Sequence, residues 1–341
     1  CYPYDSMEIF LALLEEAAED PAVASIRMTI YRLAAHSRVA AALCRAAANG
    51  KRVVCLVEWR ARFDEQANLD YAAVLEEAGC TVVDGLPDYK VHAKLCLITL
   101  REGGVFRHIT QIGTGNYNEK TATQYTDLCY LTADTGIGMD AAAVFRALEV
   151  GELPPPAAAL WIGPRGFRRE LLALLEREIA RGAQGLVVWK LNALGDPEVM
   201  AALVRASKAG VTVRLLVRGI CCIRPGIPGL TDHITVRSIV GRYLEHTRLF
   251  QFGEGQRCRV FMGSGDLLRR NTERRVEAFA ELKDDARERA LALLRLCERD
   301  TENSWEMRPD GDYRPCRTEE SSVDSQRPEG IFPQNGAYSS V

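Results

Sequence analysis

Apolar and polar positions along the first eighty residues change period several times, and each change marks an element. From Tyr4 to Glu19 the apolar residues recur at helical spacing behind Asp5-Ser6, a helix-capping pair, and Pro21 closes the run. Ala24 to Ala34 alternates and is rich in strand formers, which predicts a strand carrying Arg32 near its C-terminal end. Val39 to Asn49 is an Ala-rich helix stopped by Gly50, and Val53 to Val57 is an apolar strand buried on both faces. Leu69 to Ala78 is a helix stopped by Gly79, and Thr81 to Val83 is a short strand. Strand, helix, strand, helix, strand predicts a parallel α/β layer with right-handed crossovers.

From Tyr89 the pattern carries chemistry. His92 and Lys94 stand two apart, so in a strand running on through Leu95 to Ile98 their side chains leave on one face. A second strand near Ile109 to Ile112 ends in Gly113-Thr114-Gly115-Asn116, a turn that could bring backbone N–H groups close to an anion. Tyr125-Thr126-Asp127 follows.

The chain then repeats itself. Residues 39–57 align without gaps to residues 199–217, an offset of 160, with ten of nineteen positions identical. At the same offset Lys190 falls opposite Ile30 and Asn192 opposite Arg32. With small loop differences, His92-Ala93-Lys94 matches His246-Thr247-Arg248, and Gly113-Thr114-Gly115-Asn116 matches Gly263-Ser264-Gly265-Asp266. Fourteen residues after the first glycine of each turn stands an acid, Asp127 or Glu277. The chain is a duplication. Pro154-Pro155-Pro156 marks a stiff linker, giving expected units 1–155 and 156–310. Residues 311–341 are an expected tail: Trp305 to Pro315 reads as a short ordered extension running into it, and Arg317 to Val341, rich in Ser, Glu, Pro and Gly, is expected without order.

Composition narrows the picture. At 341 residues the chain is long enough for about two domains. No apolar run reaches the roughly 18 residues of a bilayer span, and nothing resembles a signal peptide. The start, Cys1-Tyr2-Pro3, lacks Met and suggests a cut inside a longer protein. Eleven irregularly spaced cysteines fit reduced core thiols in the cytoplasm rather than a disulfide framework. A net charge of −3 offers polyanions no global attraction, so such a site needs clustered arginines. Arg269, Arg270, Arg274 and Arg275 are either a solvated face or a guide for a polyanion.

Two related halves can place His92 and His246 in one cleft, where one attacks phosphorus through a ring nitrogen and the other handles a proton. A carboxylate on the other ring N–H fixes the tautomer. The expected partners are Asp127 for His92 and Glu277 for His246. Lys94, Arg248, Arg32, Arg62 and Arg218 are candidates to hold phosphate oxygens. Lys190 and Asn192 suit a phosphate role and a structural one equally. His36, His108 and His233 are expected at the surface.

These paired His-x-Lys and His-x-Arg segments resemble the phospholipase D-like superfamily, although Thr99 stands where that family has an Asp. A fuller resemblance is to polyphosphate kinases of the phosphohistidine type. It runs in order through Thr29-Ile30-Tyr31-Arg32, Arg60-Ala61-Arg62, Lys90-Val91-His92-Ala93-Lys94, Gly113 to Asn118, Tyr125-Thr126-Asp127, Val217-Arg218-Gly219, Tyr243 to His246 and Arg274 to Glu277. The resemblance implies two tandem, pseudo-symmetric phospholipase D-like α/β domains sharing one cleft. It implies reversible transfer of the ATP γ-phosphate to inorganic polyphosphate, with Mg2+ and ATP/ADP. By position His92 would be the phosphohistidine, and Tyr125, Arg218 and His246 would contact ATP. Asn116 belongs with the covalent-phosphate half, while Arg32 and Arg62 fall at the family's magnesium–phosphate site. As cations these two are expected to grip phosphate beside the metal. The family has further domains before the region matched, and its members often form homo-oligomers. No nucleic-acid partner is expected, and peripheral membrane association stays open. A phosphodiesterase or nuclease, and a non-catalytic polyphosphate-binding module, remain the competing expectations.

Overall fold

Two mixed sheets of related strand order grow from the predicted hydrophobic runs. The computed structural model describes residues 1–59, 65–317 and 322–327. In the first sheet β1 (Val23–Ile30), β2 (Arg52–Val57) and β3 (Thr81–Asp84) are parallel. β4 (Leu95–Glu102), β5 (Val105–Gly113) and β6 (Cys129–Thr132) extend it antiparallel, in the order β3-β2-β1-β4-β5-β6. The second sheet contains β7 (Leu160–Ile162), β8 (Leu186–Leu191), β9 (Thr212–Val217), β10 (Ile234–Ile239), β11 (Leu249–Phe252), β12 (Arg259–Gly263), β13 (Ala278–Leu282), β14 (Ser304–Met307) and β15 (Tyr313–Pro315). Its order is β15-β14-β10-β9-β8-β11-β12-β13-β7, so its inner six strands repeat the first sheet. The parallel layer expected from the N-terminal pattern is therefore three of the six strands of the first sheet and three of the nine strands of the second. The hairpin strands after it turn the sheet mixed, because short connections join only antiparallel neighbours.

Helices α1 (Glu8–Glu19), α2 (Arg38–Ala48), α3 (Glu65–Glu77), α4 (Thr135–Glu149), α5 (Phe167–Ile179), α6 (Pro197–Lys208) and α7 (Asp284–Arg299) cover the sheets. The duplicated pair α2 and α6 shows why the sequence window repeats. Ser37 caps α2 by accepting from Ala40 N, and Asp196 caps α6 by accepting from Glu198 N at 3.0 Å and Val199 N at 3.1 Å. Gly50 and Gly210 end them at φ 79° and 90°, a backbone region that suits glycine.

The halves share a core. Leu56, Leu95, Ile112 and Phe145 are buried in one cluster with Leu160, Ile162, Val276 and Ala278. Phe145 is fully buried there, and its truncation to Ala is expected to cost about 3–5 kcal/mol. Two short parallel ladders also cross between halves. Lys90–Val91 pairs with Arg275–Val276, and Tyr125–Thr126 pairs with Leu244–Glu245. The strand expected to run through His92 and Lys94 is broken there, because the backbone N–H groups of His92 and Ala93 both turn to Val276 O at 2.9 and 2.8 Å.

The chain end is ordered a little further than the extension expected over residues 305–315. Residues 313–315 form β15, and Ser325 and Gln326 are 3% and 5% exposed. Polar composition hid this order, since the segment is held by hydrogen bonds rather than by an apolar face. Residues 318–321 and 328–341 lie outside the described residues, as does Arg62. Among the described residues no helix is long and apolar enough to cross a membrane.

Candidate active site

Each cross-half ladder ends one residue before a histidine on one strand and an acid on the other. Val91 lies opposite Val276, so His92 and Glu277 come next together. Glu245 lies opposite Thr126, so His246 and Asp127 come next together. The pairing is thus crossed: His92 Nδ1 is 2.9 Å from Glu277 Oε2, and His246 Nδ1 is 2.8 Å from Asp127 Oδ1. The expected assignment within each half, Asp127 to His92 and Glu277 to His246, is wrong. Backbone pairing between halves decides it, and spacing within one half carries no information about that.

Glu277 is fully buried and fully engaged. Its Oε2 also accepts from the Ser264 hydroxyl, and its Oε1 accepts from Asn271 Nδ2 at 2.9 Å. Burial alone would raise its pKa, but the His92 ring, Lys94 and Arg275 hold it well below the usual carboxylate range. Burial pushes His92 down to about 3 against the pull of Glu277, with Lys94 adding to the drop. The ring is therefore neutral, its Nδ1–H donates to Glu277, and Nε2 keeps its lone pair. Tyr31 meets this ring edge-on, with centroids 5.0 Å apart.

Lys94 is 2% exposed and donates to His92 O at 2.6 Å, with its ammonium 5.1 Å from the Tyr31 ring centre. Burial lowers its pKa to about 7, partly countered by Glu277. Arg248 is the matching cation but is held far more firmly. It donates to Asp266 through Nε at 3.3 Å and Nη2 at 3.0 Å. Its Nη1 donates to His246 O at 2.9 Å and to Thr114 O at 3.0 Å. Both Nη1 hydrogens are thereby used. Nη1 is also nearly equidistant from His246 Nδ1 and Nε2, at 3.3 and 3.1 Å, so the guanidinium lies over the ring face rather than along a lone pair. Burial, then Arg248, hold the His246 pKa down against Asp127. Asp127 stays below its usual value despite burial, through His246, the Thr114 hydroxyl and Arg248.

The glycine turns serve these acids. A Cβ on Gly115 would sit 2.1 Å from Asp127 Oδ2, and one on Gly265 would sit 2.9 Å from Glu277 Cγ. Neither residue has a positive φ, so close approach of a carboxylate explains each glycine. The expected role of cradling an anion by backbone N–H groups is not needed to account for them.

His92, His246, Asn116, Tyr31 and Arg32 line a cleft of ≈ 550 Å³, walled on one side by Arg270, Arg274 and Arg275. Asn116 Oδ1 is buried with no hydrogen-bond partner among the described residues. The Tyr125 ring lies 5.5 Å from His246. Asn192 accepts from Arg218 Nε at 3.0 Å and donates to His246 O at 3.2 Å, so it ties Arg218 to the histidine backbone. Lys190 is not brought to the cleft. Its Nζ is 2.6 Å from Glu245 Oε2 in a buried ion pair, which gives it a structural role. His108 is half-buried rather than at the surface, 3.2 Å from Thr99 Oγ1. Sequence reasoning missed Tyr31, Ser264 and Asn271 as members of the site. Of these Ser264 was legible, as the hydroxyl matching Thr114 in the repeated turn.

Among the described residues no group of three or more His, Cys, Asp or Glu side chains could hold a metal ion. Arg32 is at the cleft wall, but a guanidinium has no lone pair to give. These residues do not fit a protein-held magnesium ion, and no step below runs through one.

Residues 1–153 match the family model described as polyphosphate kinase C-terminal domain 1, and residues 160–326 match that for polyphosphate kinase C-terminal domain 2. The polyphosphate kinase of Rhodopirellula baltica is 42% identical over 338 residues, 98% of this chain and 40% of that protein. The polyphosphate kinase of Mycolicibacterium gilvum is 47% identical over 287 residues, 83% of this chain and 39% of that protein. The chain spans less than half the length of these curated relatives. The crystal structure of polyphosphate kinase from Porphyromonas gingivalis is similar at a TM-score of 0.87 and 35% identity, covering 95% of this chain and 50% of that one. The phosphatidylserine synthase of Haemophilus influenzae shares the fold alone, at a TM-score of 0.58 and 10% identity over 87% of this chain and 85% of that one.

Proposed function

Because the chain belongs to the polyphosphate kinase family, we propose that it transfers the γ-phosphate of ATP to inorganic polyphosphate, reversibly, through a phosphohistidine at His92. The single observation that carries this reading is the His92–Glu277 contact. It supports a neutral ring whose free Nε2 belongs to a residue lining the arginine-walled cleft. The Nε2 lone pair forms a bond to the γ-phosphorus while the bond to the bridging oxygen breaks, and ADP leaves with that electron pair. A terminal oxygen of polyphosphate then attacks the same phosphorus, and the N–P electron pair returns to Nε2. Glu277 offsets the positive charge that the ring gains while phosphorylated. His246, neutral and held by Asp127, accepts a proton or hydrogen bond at the acceptor end. Lys94 and Arg32 hold transferred phosphate oxygens. Arg248, with four of its five N–H groups already used, keeps His246 in place instead. Tyr125 and Arg218 complete the nucleotide side of this reading, and Asn116 belongs with the covalent phosphate.

The division at residues 155 and 156, cytoplasmic residence and homo-oligomer formation belong to the same reading. Magnesium would arrive with the nucleotide, as part of the substrate. The test exposes the chain to labelled ATP or polyphosphate and looks for an acid-labile, base-stable phosphoryl group on His92. Label absent from the parent chain under both donors would point to a module that only binds polyphosphate. Turnover of a phosphodiester without nucleotide would point to a phosphodiesterase or nuclease instead.

A further inference from the structure

The segment 322–327 contains a residue that reaches into the support of His246. Gln326 is 5% exposed and makes hydrogen bonds with the strand just ahead of that histidine. Its Oε1 accepts from Tyr243 N at 2.8 Å, and its Nε2 donates to Tyr243 O at 2.8 Å and to Glu245 Oε1 at 2.6 Å. The first two bonds copy the exchange a neighbouring strand would make. The third completes a buried knot in which Glu245 Oε2 also meets Lys190 Nζ at 2.6 Å and accepts from Thr126 Oγ1 at 2.9 Å. Leu244–Glu245 is the ladder that brings His246 to Asp127.

The segment is itself anchored. Ser325 N and Oγ donate to the buried Asp300 Oδ2 at 2.7 and 2.6 Å, and Asn303 Nδ2 donates to Asp324 Oδ1 at 2.8 Å. Room for the amide is provided by Gly241, where a Cβ would lie 2.5 Å from Gln326 Oε1. Four elements thus meet at the Glu245 carboxylate: the anchored segment through Gln326, the Leu244–Glu245 strand itself, the Tyr125–Thr126 strand and β8 through Lys190.

We propose that Gln326 is a positioning residue, which fixes Tyr243 and the Leu244–Glu245 strand and through them the placement of His246 in the cleft. It touches neither histidine, so its effect passes through the backbone. A loosened strand lets the His246 ring leave Asp127 while His92, held by a separate ladder, stays where it is. The part of this that concerns rate rests on the reading of His246 given above. The part that concerns placement does not.

The test uses the whole chain with Gln326→Met, which keeps the volume and loses all three hydrogen bonds, and Gly241→Ala, which displaces the amide and keeps the residue. Gly241→Ala carries the same question if Gln326→Met does not fold. Ring 15N and 13C signals of the histidines are followed beside the turnover of the His92 label. The expected result is a moved and broadened His246 signal with an unchanged His92 signal. Amide exchange at Leu244 to His246 should quicken, and turnover of the His92 label should slow on the order of ten-fold. Unchanged His246 signals in both folded variants, with only a lowered melting temperature, would overturn the proposal. Moved His246 signals in a chain that never labels would uphold the positioning role and fault the phosphotransfer reading alone.

Discussion

His92 and His246 occupy matching cradles with unlike neighbours. Each gives Nδ1–H to the other half's acid, each acid takes a hydroxyl from its own glycine turn, and each histidine carbonyl accepts from a cation two residues on. The cations differ in freedom. Arg248 is paired with Asp266 and sets its Nη1 over the His246 ring. Asn116 stands at the sequence position that corresponds to Asp266, and Lys94 forms no ion pair among the described residues. A phosphoryl group on His92 would therefore meet a cation that has no direct ion-pair partner among the described residues, while one on His246 would meet a cation already paired with Asp266. The acids differ as well, since Glu277 takes a third donor in Asn271. Duplication supplied two equal sites, and substitutions around them made one suited to hold charge and one suited to hold a ring still.

The largest effect should come from the histidines themselves. His92→Ala should lower phosphoryl labelling by roughly 10^4-fold or more, whereas His246→Ala should leave label on His92 and slow its turnover on the order of 10^2-fold. Equal loss in both variants would erase the comparison. Next, Glu277→Gln should slow labelling on the order of 10^3-fold, because an amide can present its NH2 to Nδ1 and favour the wrong tautomer. Asp127→Asn should spare the His92 label, as measured by the same single-turnover assay.

Lys94 sharpens the comparison by pH. Its pKa is lowered to about 7, so the ammonium is present below that value and is lost as pH rises through it. Labelling of the free chain should fall on this alkaline limb. Lys94→Met should abolish the limb and cost on the order of 10^2-fold at lower pH. His92, pushed down to about 3, should add no step between pH 5 and pH 8. Smaller effects test the supports. Gly115→Ala, with a Cβ 2.1 Å from Asp127 Oδ2, should lose about 1–3 kcal/mol in denaturant melts and disturb His246 alone. Asn271→Ala, which removes one of the donors on Glu277, should cost about 1 kcal/mol and disturb His92 alone.

Much of this was legible in the sequence because crossover units repeat as rigid lengths. The 160-residue offset survives wherever strand, helix and capping glycine must keep step, as at Gly50 and Gly210. The histidines, the glycine turns and both acids were legible for the same reason. Their pairing was not. Asp127 and His246 are 119 positions apart, and Glu277 and His92 are 185 apart, so only the two cross-half ladders decide which acid meets which ring. Lys190 misled because its offset partner lies beside Arg32, while its own ammonium finds Glu245. Gln326 was invisible because polar residues that order through hydrogen bonds have the same composition as residues that do not order at all.

The crossed pairing is the central claim, and site-resolved 15N NMR of the histidine rings in Glu277→Gln tests it most directly. The account predicts that the His92 ring nitrogens shift and its Nδ1 proton loses protection, while the His246 signals keep their parent positions. A response at His246 with His92 unchanged would contradict it.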